Sequence, residues 1–148
     1  MIVTFCGHGK ISMSKEEDQR LVDLLRSILA EHPDTLFYLG DYGDFDGTCN
    51  MILKKLQVEY PELKRIFITP YITPGYWHLE AAKERYDESI YPFEDSVLPK
   101  FAISKRNEWM VDQADLVIAY VRWSWGGART TYEYALRHKK SVVNIAND

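Results

Sequence analysis

The sequence has no long apolar run, and this absence argues against several classes of protein. No stretch approaches the roughly 18 consecutive apolar residues of a membrane-spanning helix. The first residues, MIVTFCGHGK, lack the basic start and extended apolar segment of a secretion signal. We therefore expect a cytoplasmic protein that does not associate with a membrane.

Cysteine is scarce as well. The two cysteines, Cys6 and Cys49, do not have the spacing of metal ligands. Such a pair is typical of buried thiols in a reducing compartment rather than of a disulfide framework. The sequence also has no cluster of zinc-ligand residues. It therefore predicts no metal site and no cofactor.

Positive charge is limited. The chain has 18 Lys and Arg against 22 Asp and Glu, which gives a net charge of −4. This balance argues against direct binding of nucleic acid, which requires a strongly cationic surface. A small anionic ligand remains compatible, because backbone N–H groups and one or two arginines are sufficient to hold it. The sequence also lacks three common motifs: G-x-G-x-x-G after the first strand, the phosphate-loop lysine pattern, and the G-x-S-x-G nucleophile turn.

The apolar pattern alternates between strand and helix. It predicts strands at 2–6, 35–39, 65–69, 116–121 and 141–145, and helices at 15–32, 104–114, 130–138 and between Gly47 and Pro61. The pair Ser14 and Glu17 has the spacing of a capping box at the first helix. The strands are almost continuously apolar, which parallel strands require because both their faces are buried. We predict one α/β domain over residues 1–148, with a Rossmann-like, doubly wound, mainly parallel five-stranded sheet.

The segment 70–102 is the least regular part of the chain. It has four prolines and seven aromatic residues, including Tyr76 and Trp77, and allows a short helix around 79–86. Connections of this length usually have a function or contain structure of their own.

Ligands of open parallel sheets bind at the carboxyl ends of the strands. Gly7 and His8 follow the first predicted strand, and Gly40 and Asp41 follow the second. The fourth strand is followed by the turn 122–128, with two adjacent glycines that let a ligand approach the backbone closely. The next helix, predicted to start near Thr130, would direct free amides and its positive dipole end at the same place. A tight turn without a ligand is the alternative interpretation.

Several side chains near these ends have both a functional and a structural interpretation. Glu133 has the position of a ligand-facing carboxylate, but also that of the partner of Thr130 in a capping box. Arg106 suits a phosphate or carboxylate, and the alternative is a solvated surface arginine. His8 suits a phosphate contact or proton transfer, and the alternative is a structural hydrogen bond in a turn.

The acidic and aromatic loops have alternatives too. Asp41, Asp44 and Asp46 lie in one loop without the EF-hand spacing, so an acidic turn or a helix cap by Asp46 competes with cation binding. Four aromatic rings are candidates either for stacking on a nucleobase or for a packed lid or subunit interface: Tyr76, Trp77, Trp123 and Trp125.

Taken together, these motifs resemble the SLOG superfamily, and within it the YpsA-like branch. The run 126–133, Gly-Gly-Ala-Arg-Thr-Thr-Tyr-Glu, is similar to the Gly-Gly-x-Gly-Thr-x-x-Glu motif of the lonely-guy phosphoribohydrolases. Arg106, Met110 and Ala114-Asp115 match the pattern that precedes the next strand, and the loop 40–46 is similar to a Gly-Gly-Ala-x-Gly-x-Asp element. The superfamily also includes the Rossmann-like domain of the DNA-processing protein A.

The resemblance implies a site and an assembly. It implies catalytic roles for Arg106 and Glu133 in an enzyme of this type, and a homodimer or larger homo-oligomer. The ligand-binding residues that we infer with its help are Gly7, His8, Gly40, Asp41, Asp46, Asn107, Trp125, Gly126, Gly127, Arg129, Thr130 and Thr131.

Three departures from the lonely-guy pattern bear on the activity. Arg129 stands in place of the third glycine, Trp125 in place of a proline, and Asp44 in place of a loop glycine. They weigh against hydrolase activity more than against binding. We therefore predict a module that binds a nucleotide-derived or phosphoribosyl small molecule.

Three alternatives to a binding module remain. In an N-glycosidase of nucleoside 5'-monophosphates, Glu133 would act on the glycosidic bond and Arg106 would orient the phosphate or ribose. The second alternative is an enzyme like the nucleoside deoxyribosyltransferases. The third is a protein-interaction role through the aromatic segment 70–101.

Overall fold

A computed structural model describes residues 1–72, 81, 84–95 and 97–146. The described part contains six strands and four helices. The strands are β1 (Ile2–Gly7), β2 (Leu36–Leu39), β3 (Lys64–Ile68), β4 (Glu88–Ile90), β5 (Leu116–Tyr120) and β6 (Ser141–Asn144). The helices are α1 (Lys15–Glu31), α2 (Gly43–Leu56), α3 (Pro99–Gln113) and α4 (Gly127–Arg137).

The strands form one parallel sheet in the order β4-β3-β2-β1-β5-β6. Val3 of β1 pairs with Phe37 of β2 on one side and with Leu116 of β5 on the other. The chain therefore builds outward from β1 to β4 and then crosses back to add β5 on the opposite side of β1. This reversal between β1 and β5 is the topological switch point of a Rossmann-like fold, so the predicted fold class is confirmed.

The structure differs from the sequence-based elements in two places. The predicted five strands become six, because β4 forms at the sheet edge within the segment expected to be irregular. This strand has only three residues and two of them are exposed, so it has no apolar run to reveal it. Helix α2 begins at Gly43, inside the predicted acidic loop, where Asp44 and Asp46 of its first turn complement the helix dipole. Tyr76, Trp77 and half of the predicted helix at 79–86, namely residues 79, 80, 82 and 83, lie outside the described residues.

The core lies on both faces of the sheet. Val3 and Phe5 pack with Leu21, Leu25 and other residues of α1 and α2 on one face. On the other face, the strand residues Cys6, Val117 and Ala119 pack with Val111 of α3 and Ala135 of α4. This covering of both faces is the reason why the strands are almost continuously apolar.

The capping box predicted at α1 is present and continues into a buried ion pair. The Ser14 hydroxyl accepts from the Glu17 amide, and the Glu17 carboxylate accepts from the Ser14 amide. Glu17 is fully buried, and its carboxylate also accepts from Tyr120 Oη at 3.0 Å and from Arg122 Nη2 at 2.7 Å. A buried carboxylate is tolerable only with such partners. The contacts fasten the start of α1 to the carboxyl end of β5.

Both cysteines are buried free thiols, as predicted. Among the helices that the structure describes, none is both long enough and apolar enough to cross a membrane. In the same residues, no group of three or more His, Cys, Asp or Glu side chains has an arrangement that could hold a metal ion.

Gly7 allows α2 to approach the end of β1. A Cβ atom at Gly7 would lie 2.4 Å from the Cβ and Cδ2 atoms of Phe45, whereas a Cβ atom at Gly47, on the exposed side of α2, meets nothing within 4 Å. We expect Gly7→Ala to lower the free energy of unfolding by about 1–3 kcal/mol, because the helix must move. Gly47→Ala should raise the same free energy by about 0.5–1 kcal/mol.

Urea unfolding of both variants measures these changes. Equal effects of Gly7→Ala and Gly47→Ala would show that the contact between β1 and α2 is not tight.

Candidate functional site

A cavity of about 370 Å³ opens at the carboxyl ends of β1 and β5, which is the switch point of the sheet. Open α/β sheets bind their ligands at this place. Its lining comes from β1 and the turn after it, from the start of α2, from α3, and from the turn and first residues of α4. The lining residues are Phe5, Cys6, Gly7, His8, Gly9, Tyr42, Asp46, Ile103, Arg106, Asn107, Met110, Trp123, Trp125, Gly126, Gly127, Ala128 and Thr131.

Arg106 lies in this lining as a buried cation. Only 2% of it is exposed, so it is not the solvated surface arginine considered above. Its Nη1 donates to the carbonyl oxygens of Gly40 at 3.0 Å and Ile68 at 2.8 Å, just after β2 and at the end of β3. Its Nε donates to Asn107 Oδ1 at 2.9 Å. Nη2 has no hydrogen bond within the described part of the chain, so it is available to a ligand.

Gly40 makes room for that guanidinium group. A Cβ atom at Gly40 would lie 2.9 Å from Arg106 Cζ. Gly40 therefore contributes to the site by letting Arg106 reach the strand ends, and it is not itself part of the cavity lining.

Asp46 is a buried carboxyl group in the same cavity. Its Oδ2 accepts from the Tyr42 amide at 3.2 Å, which ties it to the residue that precedes α2. Burial raises the pKa of Asp46 from its ordinary 3.8 to about 6, although the Tyr42 amide and the positive charge of Arg106 oppose the rise. The cavity thus holds a carboxyl group whose pKa lies well above that of an ordinary aspartate.

His8 is held in one tautomer. Its Nε2 accepts from the Arg122 amide at 2.9 Å, so the proton of the neutral ring is on Nδ1. Its ring stacks on Trp123 with centroids 3.7 Å apart, and burial lowers the pKa of the imidazole. The structural hydrogen bond considered from the sequence is therefore present. Nδ1 makes no hydrogen bond among the described residues and remains a free donor.

The start of α4 is uncapped. The helix begins at Gly127, three residues earlier than predicted, and no side chain caps it. Gly126 has φ 95°, a left-handed conformation that favours glycine. The N–H groups of Gly127, Ala128 and Arg129 have no acceptor among the residues that the structure describes. Since Gly126, Gly127 and Ala128 line the cavity, the unpaired amides at the start of α4 lie beside it, where a helix end of this kind can accept an anion.

This earlier start overturns the capping-box interpretation of Thr130 and Glu133. Both residues lie inside the helix, where the Thr130 hydroxyl donates to the Gly126 carbonyl oxygen at 3.1 Å. Glu133 is exposed and accepts from Arg129 Nε at 2.8 Å. Neither Thr130, Arg129 nor Glu133 is in the cavity lining, whereas Thr131 is.

Asp41 also lies beside the cavity rather than in its lining. It has φ 53°, and its carboxylate accepts from Arg85 Nη2 at 2.6 Å and from Tyr86 Oη at 2.8 Å. These contacts connect the turn after β2 with the chain that precedes β4.

Several residues that line the cavity are not among the site residues predicted from the sequence. Ile103 and Met110 line the cavity together with Arg106 and Asn107, at the spacing i, i+3, i+4, i+7 of one helix face. Met110 belongs with Arg106 to the family motif but is not among the predicted site residues, and the same periodicity counted from Arg106 would have identified Ile103 as well. Cys6 and Tyr42 gave no such signal, since their place depends on how strands and loops meet.

Comparisons with known proteins bear on the fold. No family model and no curated protein sequence matches the chain. Solved structures do match. The DNA processing protein A of Helicobacter pylori, whose single-stranded DNA binding mode has been described, superimposes with a TM-score of 0.61 at 15% identity over 96% of this chain and 63% of its own. DprA of Streptococcus pneumoniae gives 0.60 at 17% identity over 95% of this chain and 48% of its own.

A third match is the molybdenum cofactor carrier protein MCP of Chlamydomonas reinhardtii, with a TM-score of 0.56 at 15% identity over 97% of this chain and 74% of its own. The chain has a Rossmann-like fold. At these identities the likeness extends to the fold alone, and the chain spans only 63% and 48% of the lengths of the two DprA chains.

The raised pKa of Asp46 has a consequence for stability. Between pH 4 and 6 the folded chain holds a proton on Asp46 that the unfolded chain releases, so stability falls as the pH rises through that window. Relative to Asp46→Asn, the native chain should lose on the order of 3 kcal/mol of unfolding free energy between pH 4 and pH 7. Urea unfolding of both proteins across this pH range measures the difference, and two parallel curves would contradict it.

Proposed function

We propose that the chain binds a nucleotide-derived or phosphoribosyl small molecule in the cavity, with the phosphate on the amides at the start of α4. One observation carries the proposal. The uncapped N–H groups of Gly127 and Ala128 and the buried guanidinium of Arg106 belong to the same cavity. Backbone amides, a helix dipole and an arginine together suit a phosphate group.

Other lining groups suit a sugar. Asp46 offers carboxyl oxygens to hydroxyl groups, and His8 Nδ1 offers a donor. Asn107 uses its Oδ1 to accept from Arg106, which orients the side-chain amide so that Nδ2 remains as a donor. A phosphorylated ribose needs both donors and acceptors, and this cavity has both.

The comparisons support a binding role by analogy of fold. One similar structure is a cofactor carrier and another binds single-stranded DNA. Fold analogy alone does not establish function. With the motifs at Arg106 and at 126–133, however, it supports our proposal that the chain is a single-domain member of the SLOG superfamily, in its YpsA-like branch, that forms homo-oligomers.

The position of Glu133 weighs against the hydrolysis in which this residue would act on the glycosidic bond. A carboxylate that acts on a glycosidic bond must reach it from within the cavity. Glu133 is instead exposed and paired with Arg129, and it is not in the lining. We therefore retain the binding module as the proposed function and the N-glycosidase as the alternative to test.

Proline at the first helical position removes an amide donor without breaking the helix, because that N–H has no partner inside the helix. Gly127→Pro should therefore weaken the binding of ribose 5-phosphate by about tenfold or more, the contribution of one charge-assisted hydrogen bond. Gly127→Ala, which adds a Cβ atom but keeps the N–H, is the matched control and should bind within about threefold of the native chain. Isothermal titration calorimetry measures both.

Unphosphorylated ribose serves as the second control and should show no difference between the two variants. The proposal would be overturned if the native chain failed to bind ribose 5-phosphate, or if the proline and alanine variants bound it equally.

A binding module should not turn over its ligand. Incubation of the native chain with adenosine 5'-monophosphate should release no adenine above the protein-free rate, as measured by chromatography. Glu133→Gln should bind this nucleotide within about threefold of the native chain, because an exposed ion pair contributes little. Adenine release that disappears in Glu133→Gln would instead establish the N-glycosidase.

A further inference from the structure

Three aromatic rings form a continuous row along one wall of the cavity. The rings of His8 and Trp123 are nearly parallel, with an interplanar angle of 8° and centroids 3.7 Å apart. The rings of Trp123 and Trp125 are 5.7 Å apart with an angle of 29°. All three residues line the cavity. The row therefore runs from the buried His8 through Trp123 to Trp125.

The outer end of this row is exposed. His8 is 4% exposed, whereas Trp125 is 68% exposed. Burying a large apolar side chain contributes about 1.5–3 kcal/mol to stability. Most of the Trp125 ring stays in contact with water in the folded chain, so its apolar surface can still be buried by a ligand. A solitary exposed apolar residue is ordinary on a protein surface. Trp125 differs because it ends a stack that lines a cavity.

The position of Trp125 along the chain relates this ring to the anion-binding amides. Trp125 directly precedes Gly126 and Gly127, so the Cα atoms of Trp125 and Gly127 are at most about 7.6 Å apart. An anionic group on the amides and a planar group on the indole can therefore belong to one short molecule. A single ribose between a phosphate and a base is a spacer of that size.

We propose that Trp125 is a stacking platform for the base of a nucleoside monophosphate whose phosphate binds the amides at the start of α4. This inference rests on the proposed function and restricts it, since a phosphorylated sugar without a base would leave the platform empty. The base is recognised by its π-face, which every nucleobase has, so this contact selects for a base rather than for one particular base.

Trp125 is not needed for the fold, which makes it a suitable residue to change. Its side chain lies mostly in solvent, so Trp125→Ala should unfold at the same urea concentration as the native chain. Trp109 provides the matched control. It is half-buried, stacks on Tyr38 with centroids 5.6 Å apart, and is not part of the cavity lining.

The test compares adenosine 5'-monophosphate with ribose 5-phosphate as probes of the full chain. The native chain should bind the nucleotide about tenfold or more tightly than the sugar phosphate. Trp125→Ala should abolish this preference and leave the affinity for ribose 5-phosphate unchanged, and Trp125→Phe should restore part of the preference. Trp109→Phe should keep it. The nucleotide should also quench tryptophan fluorescence in Trp109→Phe, and less so in Trp125→Phe.

The outcomes separate the two proposals. If ribose 5-phosphate and the nucleotide bind the native chain equally well, or if Trp125→Ala keeps the preference, the stacking platform is overturned while phosphate binding stands. If neither probe binds, both proposals are overturned.

Discussion

The arrangement of the cavity depends on one buried cation. Arg106 reaches from α3 to the carboxyl ends of two strands and donates to Gly40 and Ile68. A buried guanidinium requires acceptors, and the strand ends supply them where the ladder of the sheet stops. The same group offsets part of the burial cost of the Asp46 carboxylate. Arg106 is thus a structural tie between α3 and the sheet, and it presents the remaining face of its guanidinium group to the cavity.

Much of the fold could be predicted from the sequence, because buried strands and amphipathic helices produce periodic patterns. The fold class and the edge that carries the cavity followed from the alternation of elements and from the glycines after the strands. The orientation of Glu133 relative to the cavity did not follow from these patterns. With about 3.6 residues per turn, a helix that starts at Gly127 directs Thr131 to the side of Gly127 and rotates Glu133 by about 240°. A three-residue error in the helix start therefore decides whether a carboxylate faces ligand or solvent.

The proposed anion site does not require a cationic protein. The chain has a net charge of −4, and the cavity itself contains Asp46 as well as Arg106. In the proposed site, the attraction for a phosphate would come mainly from oriented dipoles, namely the free amides at the start of α4. Such dipoles act only at short range, so they favour a bound phosphate without attracting polyanions to the whole surface. The acidic composition therefore argues against a polyanionic partner but is compatible with a small anion.

The row of aromatic rings formed by His8, Trp123 and Trp125 is anchored from the opposite side of the sheet. The Arg122 side chain pairs with the fully buried Glu17, while the Arg122 amide donates to His8, which stacks on Trp123. One residue thereby connects the capped start of α1 to the inner rings of the row. Rings that are held in place in this way lose little conformational entropy when a ligand binds. Trp125 lies beyond the last of these contacts and directly before a left-handed glycine, so the rigid part of the row ends where the ligand is expected to begin.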